Sequence, residues 1–494
     1  MQAFLIQKSS VNRYVTWFLP LLAMFAVVFA VICLDGCNRG GSTASHVDEQ
    51  DPITKIFFIT IDTLRADHVG AYGYPRPVSP FIDELAKNGA LFKHALSVIS
   101  HTAPSHASMF TSKYPFQHKV LRNHETLDPS IYNLYTYLSE QQFQSRSFTA
   151  VRFLKGKVGF PFEPEWQDPV SGESKERIPA IVKGKGVVNY ALRWLEERRD
   201  DEKLFAWVHL FDVHEWQRVG RAIEPHYRRM QRSGDDAFLD FLKKNHNTSI
   251  EFFGGKEKTL AAINSYDARI LYVDEQISRL HQLAEQRGWL KNSLWIILSD
   301  HGEGLSNHNY GGHGEFLYNE QLHIPLIVYA PGRPQWNRTI NEMVRTVDLF
   351  PTIAEALGKP LDRVQRGIEG VSLVPLLRTG KWADEAVTYS YAERRPKDYV
   401  SFRKSWEEGE VFAMQTPKEK LIDHSQAPDE LYDLANDPFE TKNILADRQS
   451  SESRLRALLE KTVNRSVLGE ERDPHHDQNL APDEVEELKT LGYM

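Results

Sequence analysis

Four short stretches carry side chains suited to metal or phosphoryl chemistry. Asp62 closes KIFFITID, Thr102 lies in HTAPSH, Asp212 and His214 follow LFAWVHL, and Asp300-His301 ends LWIILSDHG. Each alone has an ordinary structural explanation, because Asp commonly closes a turn and a Thr before Pro is a common helix cap. Together they form a set. Two carboxylates and an imidazole around a hydroxyl suit a divalent transition metal that lowers the hydroxyl pKa and makes it a nucleophile. Pro104 favours a helix start and puts Thr102 at its amino-terminal end, where backbone N–H groups face an anion.

The elements around these residues must bring them to one place. Lys55–Asp62, Leu204–Leu210 and Leu294–Leu298 are continuous apolar runs, the pattern of strands buried on both faces, and Ser145–Val151 and Leu322–Tyr329 read as further strands. Helical patterns alternate with them at Ser79–Asn88, Asn133–Gln142, Val187–Arg199, Thr259–Arg287 and Val347–Leu357. The alternation predicts an α/β fold: a large, mostly parallel sheet sandwiched by helices, with chemistry collected at the carboxyl ends of its strands. Beyond about residue 385 the runs shorten and become polar (Val387–Tyr391, Glu410–Met414, Glu430–Leu434), followed by a charged helix at Ser451–Thr462. The expected organisation is therefore an amino-terminal segment 1–50, a catalytic α/β domain 51–385, and a smaller carboxy-terminal α+β subdomain 386–494 with a helical tail. The polar stretch Trp216–Gly255 reads equally as an insertion over the active face and as a surface excursion.

The 494 residues carry a formal net charge of −8, with no basic stripe of the kind a nucleic acid would need. Both cysteines, Cys33 and Cys37, lie near the amino terminus, which excludes disulfide scaffolds and thiol catalysis downstream. Tyr14–Leu34 is uncharged and would span about 30 Å as a helix, enough to cross a bilayer. Lys8 and Arg13 before it and acidic residues after it place the remainder outside the cytoplasm. Leu34-Asp35-Gly36-Cys37 resembles a bacterial lipobox with Asp35 as a departure, so both a lipidated Cys37 and an uncleaved membrane helix are open. Export without disulfides fits a bacterial cell-envelope protein, membrane-anchored and facing the periplasm or exterior. Gly40–Gln50 reads as a linker.

Several longer segments resemble one family. IDTLRADHVGAYGYPRPVSPFIDELAKNGALF, TAPSHASMFTSKYP, YDARILYVDEQISRL, SDHGE, GGHGEFLYNEQLHIPLIVYAPG, VDLFPTI and ELYDLANDPFETKN are similar, in order, to the sulfatase family of the alkaline phosphatase superfamily. The resemblance covers about residues 53–445 and implies a large mixed α/β domain with a small carboxy-terminal sheet. It implies hydrolysis or transfer of sulfate or phosphate esters. It assigns Asp62, Asp300 and His301 as metal ligands, Thr102 to the nucleophile position, His214 to the reacting ester or leaving group, and His313 to the place of a further active-site histidine. His308 and His323 have no such match and read as structural.

The sequence departs from that family at the nucleophile. Sulfatases carry Cys or Ser in a motif ending Pro-Ser-Arg, oxidised to formylglycine; here the residues are Thr102-Ala103-Pro104-Ser105-His106. Thr63 also replaces a second metal-binding Asp. Calcium favours six to eight oxygen ligands, so two Asp, one His and a Thr suit Zn²⁺ or Mn²⁺ better than Ca²⁺. Superfamily branches with an unmodified Thr form a phospho-threonine. The leading expectation is thus a metal-dependent hydrolase or transferase of phosphate mono- or diesters, acting through Thr102 on a small-molecule, lipid or glycan ester. A sulfuric ester hydrolase working without formylglycine and a non-catalytic binding protein remain as alternatives, and Asp212 is a weak candidate for a second metal.

Overall fold

The computed structural model describes residues 51–154, 156–160, 183–232, 236–382, 390–394 and 409–463. The run Tyr14–Leu34, Cys37, the linker to Gln50, most of the loop Arg152–Ile178 and the closing LAPDEVEELKTLGYM lie outside the described residues. Among the described residues no helix is long and apolar enough to cross a membrane.

In chain order the strands are β1 (Lys55–Ile61), β2 (Ala90–Leu96), β3 (Gln144–Thr149), β4 (Leu204–Leu210), β5 (Ser293–Ser299), the short pair β6 (Gly304–Leu305) and β7 (Gly311–Gly312), β8 (His323–Tyr329) and β9 (Arg338–Arg345). Among the described residues seven of them form one sheet in the order β3-β4-β1-β5-β8-β2-β9, parallel except for β8. The three continuous apolar runs occupy its middle, and β1, β4 and β5 are buried along their whole length. Burial on both faces is what removes the alternation of polar and apolar residues from them. Ile61 pairs with Leu210 on one side and Ser299 on the other, so Asp62, Phe211 and Asp300 leave the same edge side by side.

The strands β2 and β9 carry too little signal in sequence to stand out. β2 has a register shift around Lys93 and His94, and β9 is an edge strand whose Arg338, Thr339, Asn341 and Glu342 are only partly covered or exposed. The long helix Lys256–Gln286 reproduces the expected Thr259–Arg287 pattern, yet every residue from Ile263 to Asp274 is buried. Its polar members fasten neighbouring segments. Asp267 takes Arg76 at 2.7 Å and Tyr74 at 2.8 Å, and Asp274 accepts the Phe81 and Ile82 N–H groups at the start of the helix Pro80–Asn88 at 3.0 and 2.7 Å. Tyr266 donates to the Thr63 carbonyl at 2.7 Å and accepts from the Arg65 N–H at 2.9 Å, which clamps the turn after β1. Trp216–Gly255 is largely helical (Glu224–Gln231, Asp236–His246, Ile250–Phe253) rather than an open polar loop.

A second, antiparallel sheet follows: β10 (Ser390–Arg394), β11 (Val411–Gln415), β12 (Glu419–His424) and β13 (Glu430–Asp433). The helix Gln449–Thr462 covers it with Leu455 and Leu459, in one apolar cluster with Met414, Leu421, Val98, Ile99 and Val347. Fully buried Lys420 on β12 pairs with buried Glu440 at 2.7 Å, and Glu440 also accepts the Asn319 N–H at 2.6 Å. Breaking a buried pair leaves an uncompensated charge, a loss of about 3–5 kcal/mol. Lys420→Met is expected to lower unfolding free energy by about that amount, read from urea denaturation; a change below about 1 kcal/mol would show that Glu440 does not need its partner.

Candidate metal and nucleophile site

Asp62 and Asp300 follow β1 and β5 directly, and both are fully buried. Thr102 opens the helix Thr102–Thr111, all of whose residues are buried. That helix is recognisable by Pro104 but not by amphipathicity, because small polar residues are buried on it through backbone contacts. Ser105 Oγ donates to the Asp300 carbonyl at 2.8 Å, and Thr111 Oγ1 donates to the Ala107 carbonyl at 2.7 Å. The first of these ties the helix that Thr102 opens to the strand end that carries Asp300 and His301.

The four residues read as a metal centre come together. Thr102 Oγ1 donates to Asp62 Oδ2 at 3.3 Å and lies 3.3 Å from His301 Nε2, while His301 Nε2 lies 3.6 Å from Asp300 Oδ2. Asp62, Asp300 and His301 each offer a ligand atom within 4.8 Å of the others. His301 Nδ1 faces the Gly302 carbonyl at 2.9 Å, which places a proton there and leaves the Nε2 lone pair for the centre. Asp300 Oδ1 accepts the N–H groups of Thr63 and His301 at 3.2 and 2.9 Å, but Asp300 Oδ2 and Asp62 Oδ1 have no hydrogen-bond partner. Buried orphaned carboxylate oxygens are costly unless something positive binds there. The arrangement fits a divalent cation.

Two histidines extend the site outward. His313 lies 4.5 Å from His301 and 5.0 Å from His214, ring centre to ring centre, and His214 stacks on Phe211 at 4.2 Å. His214 and His313 are both half-buried. All six residues expected from the sequence thus fall in one contiguous group. Asp212 does not join them: its Oδ2 accepts the Gly184 N–H at 2.8 Å and holds the start of the helix Gly184–Glu196. The expected row of free N–H groups at Thr102 is also shorter than anticipated. Asn123 Oδ1 takes the Ala103 N–H at 2.9 Å, Pro104 has none, and the Ser105 N–H binds the His101 carbonyl at 3.0 Å.

His308 and His323 are fully engaged elsewhere, His308 between Glu320 and the Glu440 carbonyl and His323 on the Lys93 carbonyl. Asp67, His68 and His246 form another carboxylate–imidazole group. There Asp67 is held in a two-point ion pair with Arg65, and His68 Nδ1 faces Asp267 at 3.1 Å, so these two are engaged with other groups. The sequence reading passed over Glu303 and His209. Glu303 lies fully buried with Oε2 3.4 Å from His313 Nδ1, and His209 Nε2 lies 3.4 Å from Asp62 Oδ2. Signals for both were present: Glu303 is the last residue of SDHGE, and His209 is the lone imidazole inside an apolar strand.

Burial dominates the electrostatics. It lifts the Asp62 carboxyl to about 7, with His301 pulling the other way, and it lifts Glu303 to about 8. Asp300 is raised by burial and by the Asp62 charge. Burial pulls His301 down, but Asp300 and Asp62 outweigh it and the net shift is upward. His106 and His209 are held near 3 and 4 by burial.

A family model described as Sulfatase matches residues 54–359, and one described as N-sulphoglucosamine sulphohydrolase, C-terminal, matches residues 311–467. An ulvan-active sulfatase of Formosa agariphila is 24% identical over 457 residues, covering 86% of this chain and 84% of that protein. A Delta 4,5-hexuronate-2-O-sulfatase of Bacteroides thetaiotaomicron is 24% identical, covering 83% of this chain and 88% of that protein. The phosphonate monoester hydrolase of Agrobacterium radiobacter superposes with a TM-score of 0.63 at 21% identity, covering 83% of this chain and 96% of that one. The fold expectation, a mixed, mostly parallel sheet with a separate carboxy-terminal antiparallel sheet, agrees with that likeness.

The raised carboxyls carry a pH signature in the metal-free protein. Asp62 and Glu303 bind protons in the folded state that the unfolded chain has lost by about pH 5, so their contribution disappears as pH rises through about 7 and 8. Neutral buried His106 and His209 act oppositely, but only below the ordinary value of 6.5. With chelator present, the melting temperature is expected to fall between about pH 6.5 and 8.5, and added Zn²⁺ or Mn²⁺ to restore it most at the upper end. A melting temperature flat across that range would contradict the assigned charge states.

Proposed function

Given that the chain belongs to the sulfatase family, whose members are ester hydrolases, we propose that it is a metal-dependent enzyme cleaving phosphoric esters through Thr102. The observation that carries this reading is the hydroxyl of an unoxidised Thr102 lying 3.3 Å from both Asp62 and His301. With Cys33 and Cys37 the only thiols, no cysteine-derived formylglycine can stand at this position. A sulfated threonine would lack the aldehyde route by which formylglycine expels sulfate, whereas a phosphorylated one is open to in-line attack at phosphorus.

Asp62, Asp300 and His301 would hold the cation, which supplies positive charge that acidifies the Thr102 hydroxyl and offsets charge on the transferring group. Thr102 Oγ1 attacks phosphorus as its proton passes to Asp62 Oδ2, and the bond from phosphorus to the leaving oxygen breaks. That oxygen takes a proton from His313, whose Nδ1 faces Glu303. Burial and the neighbouring His313 hold His214 well below its ordinary value, so it is neutral and orients the ester. Water or an acceptor hydroxyl then attacks phospho-Thr102 and gives its proton to His313. Thr102 Oγ1 departs and recovers its proton from Asp62. With most N–H groups at the helix start engaged, Asn123 is placed to hold a phosphoryl oxygen: it is buried, bound through Oδ1 to Ala103, and its Nδ2 is unpaired.

The half-buried His214 and His313 mark the side from which the ester approaches. The uncharged run Tyr14–Leu34 supports a bacterial envelope location, anchored at the membrane, where lipid, glycan and small-molecule esters are all accessible. Zn²⁺ or Mn²⁺ suits the two carboxylates, imidazole and hydroxyl.

The assay is of aryl phosphate mono- and diesters against aryl sulfates, with Zn²⁺, Mn²⁺ and Ca²⁺ in turn. Preferential phosphate turnover is expected, and Thr102→Ala is expected to lose at least about 10³-fold in kcat with the metal still bound. Faster sulfate turnover would favour a sulfuric ester hydrolase, and full activity in Thr102→Ala would overturn the nucleophile assignment. His313→Ala is expected to slow alkyl esters by about 10²-fold or more while sparing 4-nitrophenyl esters, whose leaving oxygen needs no proton. Equal losses on both would remove His313 as the acid.

A further inference from the structure

We infer that a second ligand site lies apart from the metal centre, in a cavity between the two sheets, and that it takes an uncharged, hydroxyl-bearing ring compound of one or two sugar units. The cavity measures about 390 Å³, within the range of about 300–1,000 Å³ that small-molecule sites occupy. Its walls include His94 and Leu96 of β2, Met343 of β9, Asn245 and His246 of the helix Asp236–His246, and Gln415 of β11. None of Asp62, Thr102, His214, Asp300, His301 and His313 lines it, so the site is independent of the catalytic reading.

Two polar atoms in these walls are left for a ligand. Gln415 Oε1 and His246 Nδ1 belong to side chains only 8% and 3% exposed, and neither atom has a hydrogen-bond partner among the described residues. Asp67 Oδ2 stands 3.4 Å from His246 Nδ1, but it is taken by Arg65 Nη2 at 2.6 Å. A buried amide oxygen is costly to leave unpaired, and it can only accept, so its partner must bring a proton. The carboxylates of Asp67, Glu320 and Glu440 also border the cavity, and ionised carboxylates likewise only accept. The occupant must therefore supply several hydrogen-bond donors.

Those donors cannot come with a charge. Asp67 is bound by Arg65 at 2.6 and 2.9 Å, Glu320 by His308 at 2.8 Å, and Glu440 by Lys420 at 2.7 Å. Burial pulls His308 down, but Glu320 outweighs it and holds the imidazole up at about 9, so that pair is ionised at neutral pH. Burial leaves His246 and His323 at about 3 and 4, and His94 below its ordinary value, so these rings are neutral. A phosphate ester or an amine would give up its water here without meeting an unpaired opposite charge. The rest of the wall is apolar: Tyr72, Phe241 and Phe439 are half-buried, and Leu434 and Met343 belong to the same lining. Several donors, no charge and a body that packs against aromatic rings describe a sugar ring.

The experiment titrates the full-length protein, in detergent, with methyl β-glucoside, maltose, cellobiose and diacetylchitobiose, and with glucosamine and glucuronate as charged counterparts. Calorimetry is expected to give a Kd of about 1 mM or tighter for at least one uncharged sugar, and binding about tenfold weaker or less for the charged ones. Hydrogen exchange is expected to slow in Asp236–His246 and Val411–Gln415 when that sugar is bound. Gln415→Leu removes the unpaired oxygen and is expected to weaken binding about tenfold, with aryl ester turnover unchanged. Asn245→Trp fills the cavity, is expected to abolish binding, and serves where Gln415→Leu does not fold. No binding of any uncharged sugar, with ordered water as the only occupant, overturns the site. Tighter binding of a charged sugar overturns the ligand class, and affinity unchanged in both variants puts the sugar elsewhere and overturns the site as well.

Discussion

Two carboxylates buried side by side at one sheet edge set the terms for everything around them. Asp62 and Asp300 are placed there by parallel pairing of β1 with β5, in a register no side chain can escape. Each is completely removed from water, and among the described residues neither forms an ion pair with a Lys or Arg. The ionisable nitrogens within 4 Å of them are imidazoles, two of which burial keeps neutral. A fold that paired these acids with arginine would be more stable and would have no use for a metal. Here the sheet assembles negative charge and leaves oxygens unsatisfied, the mark of stability given up at a functional position.

The same constraint bears on the proposed nucleophile. A threonine hydroxyl is inert at its ordinary acidity, so its placement matters more than its identity. Thr102 is fixed by the wholly buried helix it opens, and that helix is pinned through Ser105 to the carbonyl of Asp300. The proposed nucleophile and the proposed ligands therefore cannot move independently. In the proposed mechanism the anion-holding role expected of the helix start passes largely to Asn123, because Asn123 has already taken one N–H and Pro104 has none. What remains is an amide whose free nitrogen belongs to the same residue that caps the helix.

How far the sequence could be read follows from how each residue announces itself. The central strands were legible because burial on both faces gives unbroken apolar runs, and Asp62, Asp300 and His301 were legible because they end such runs. The long helix was legible from its period, but not the roles of Asp267 and Asp274, which look like solvent-facing acids and are buried fasteners. β9 was missed because an edge strand alternates weakly, and Thr102–Thr111 escaped periodicity because a fully buried helix has no polar face. His209 was passed over for a different reason. Inside an apolar strand a lone histidine reads as a packed residue, and only the pairing of β4 with β1 brings its Nε2 to 3.4 Å from Asp62 Oδ2.

The carboxy-terminal sheet completes the argument about positioning. His313 lies in a glycine-rich loop, between Gly312 and Gly314, both with positive φ, and such a loop has little intrinsic preference for one shape. Its course is set from both sides. On one, β7 pairs with β6 immediately after Glu303. On the other, buried Glu440 receives the Asn319 N–H and offers its carbonyl to His308, while Lys420 of β12 neutralises it. The imidazole that would protonate the leaving group is thus held by the main sheet through β5 and by the small sheet through Glu440. This is a physical reason for the second sheet to accompany the first: without it, the loop that carries His313 would lose one of the two supports that set its course.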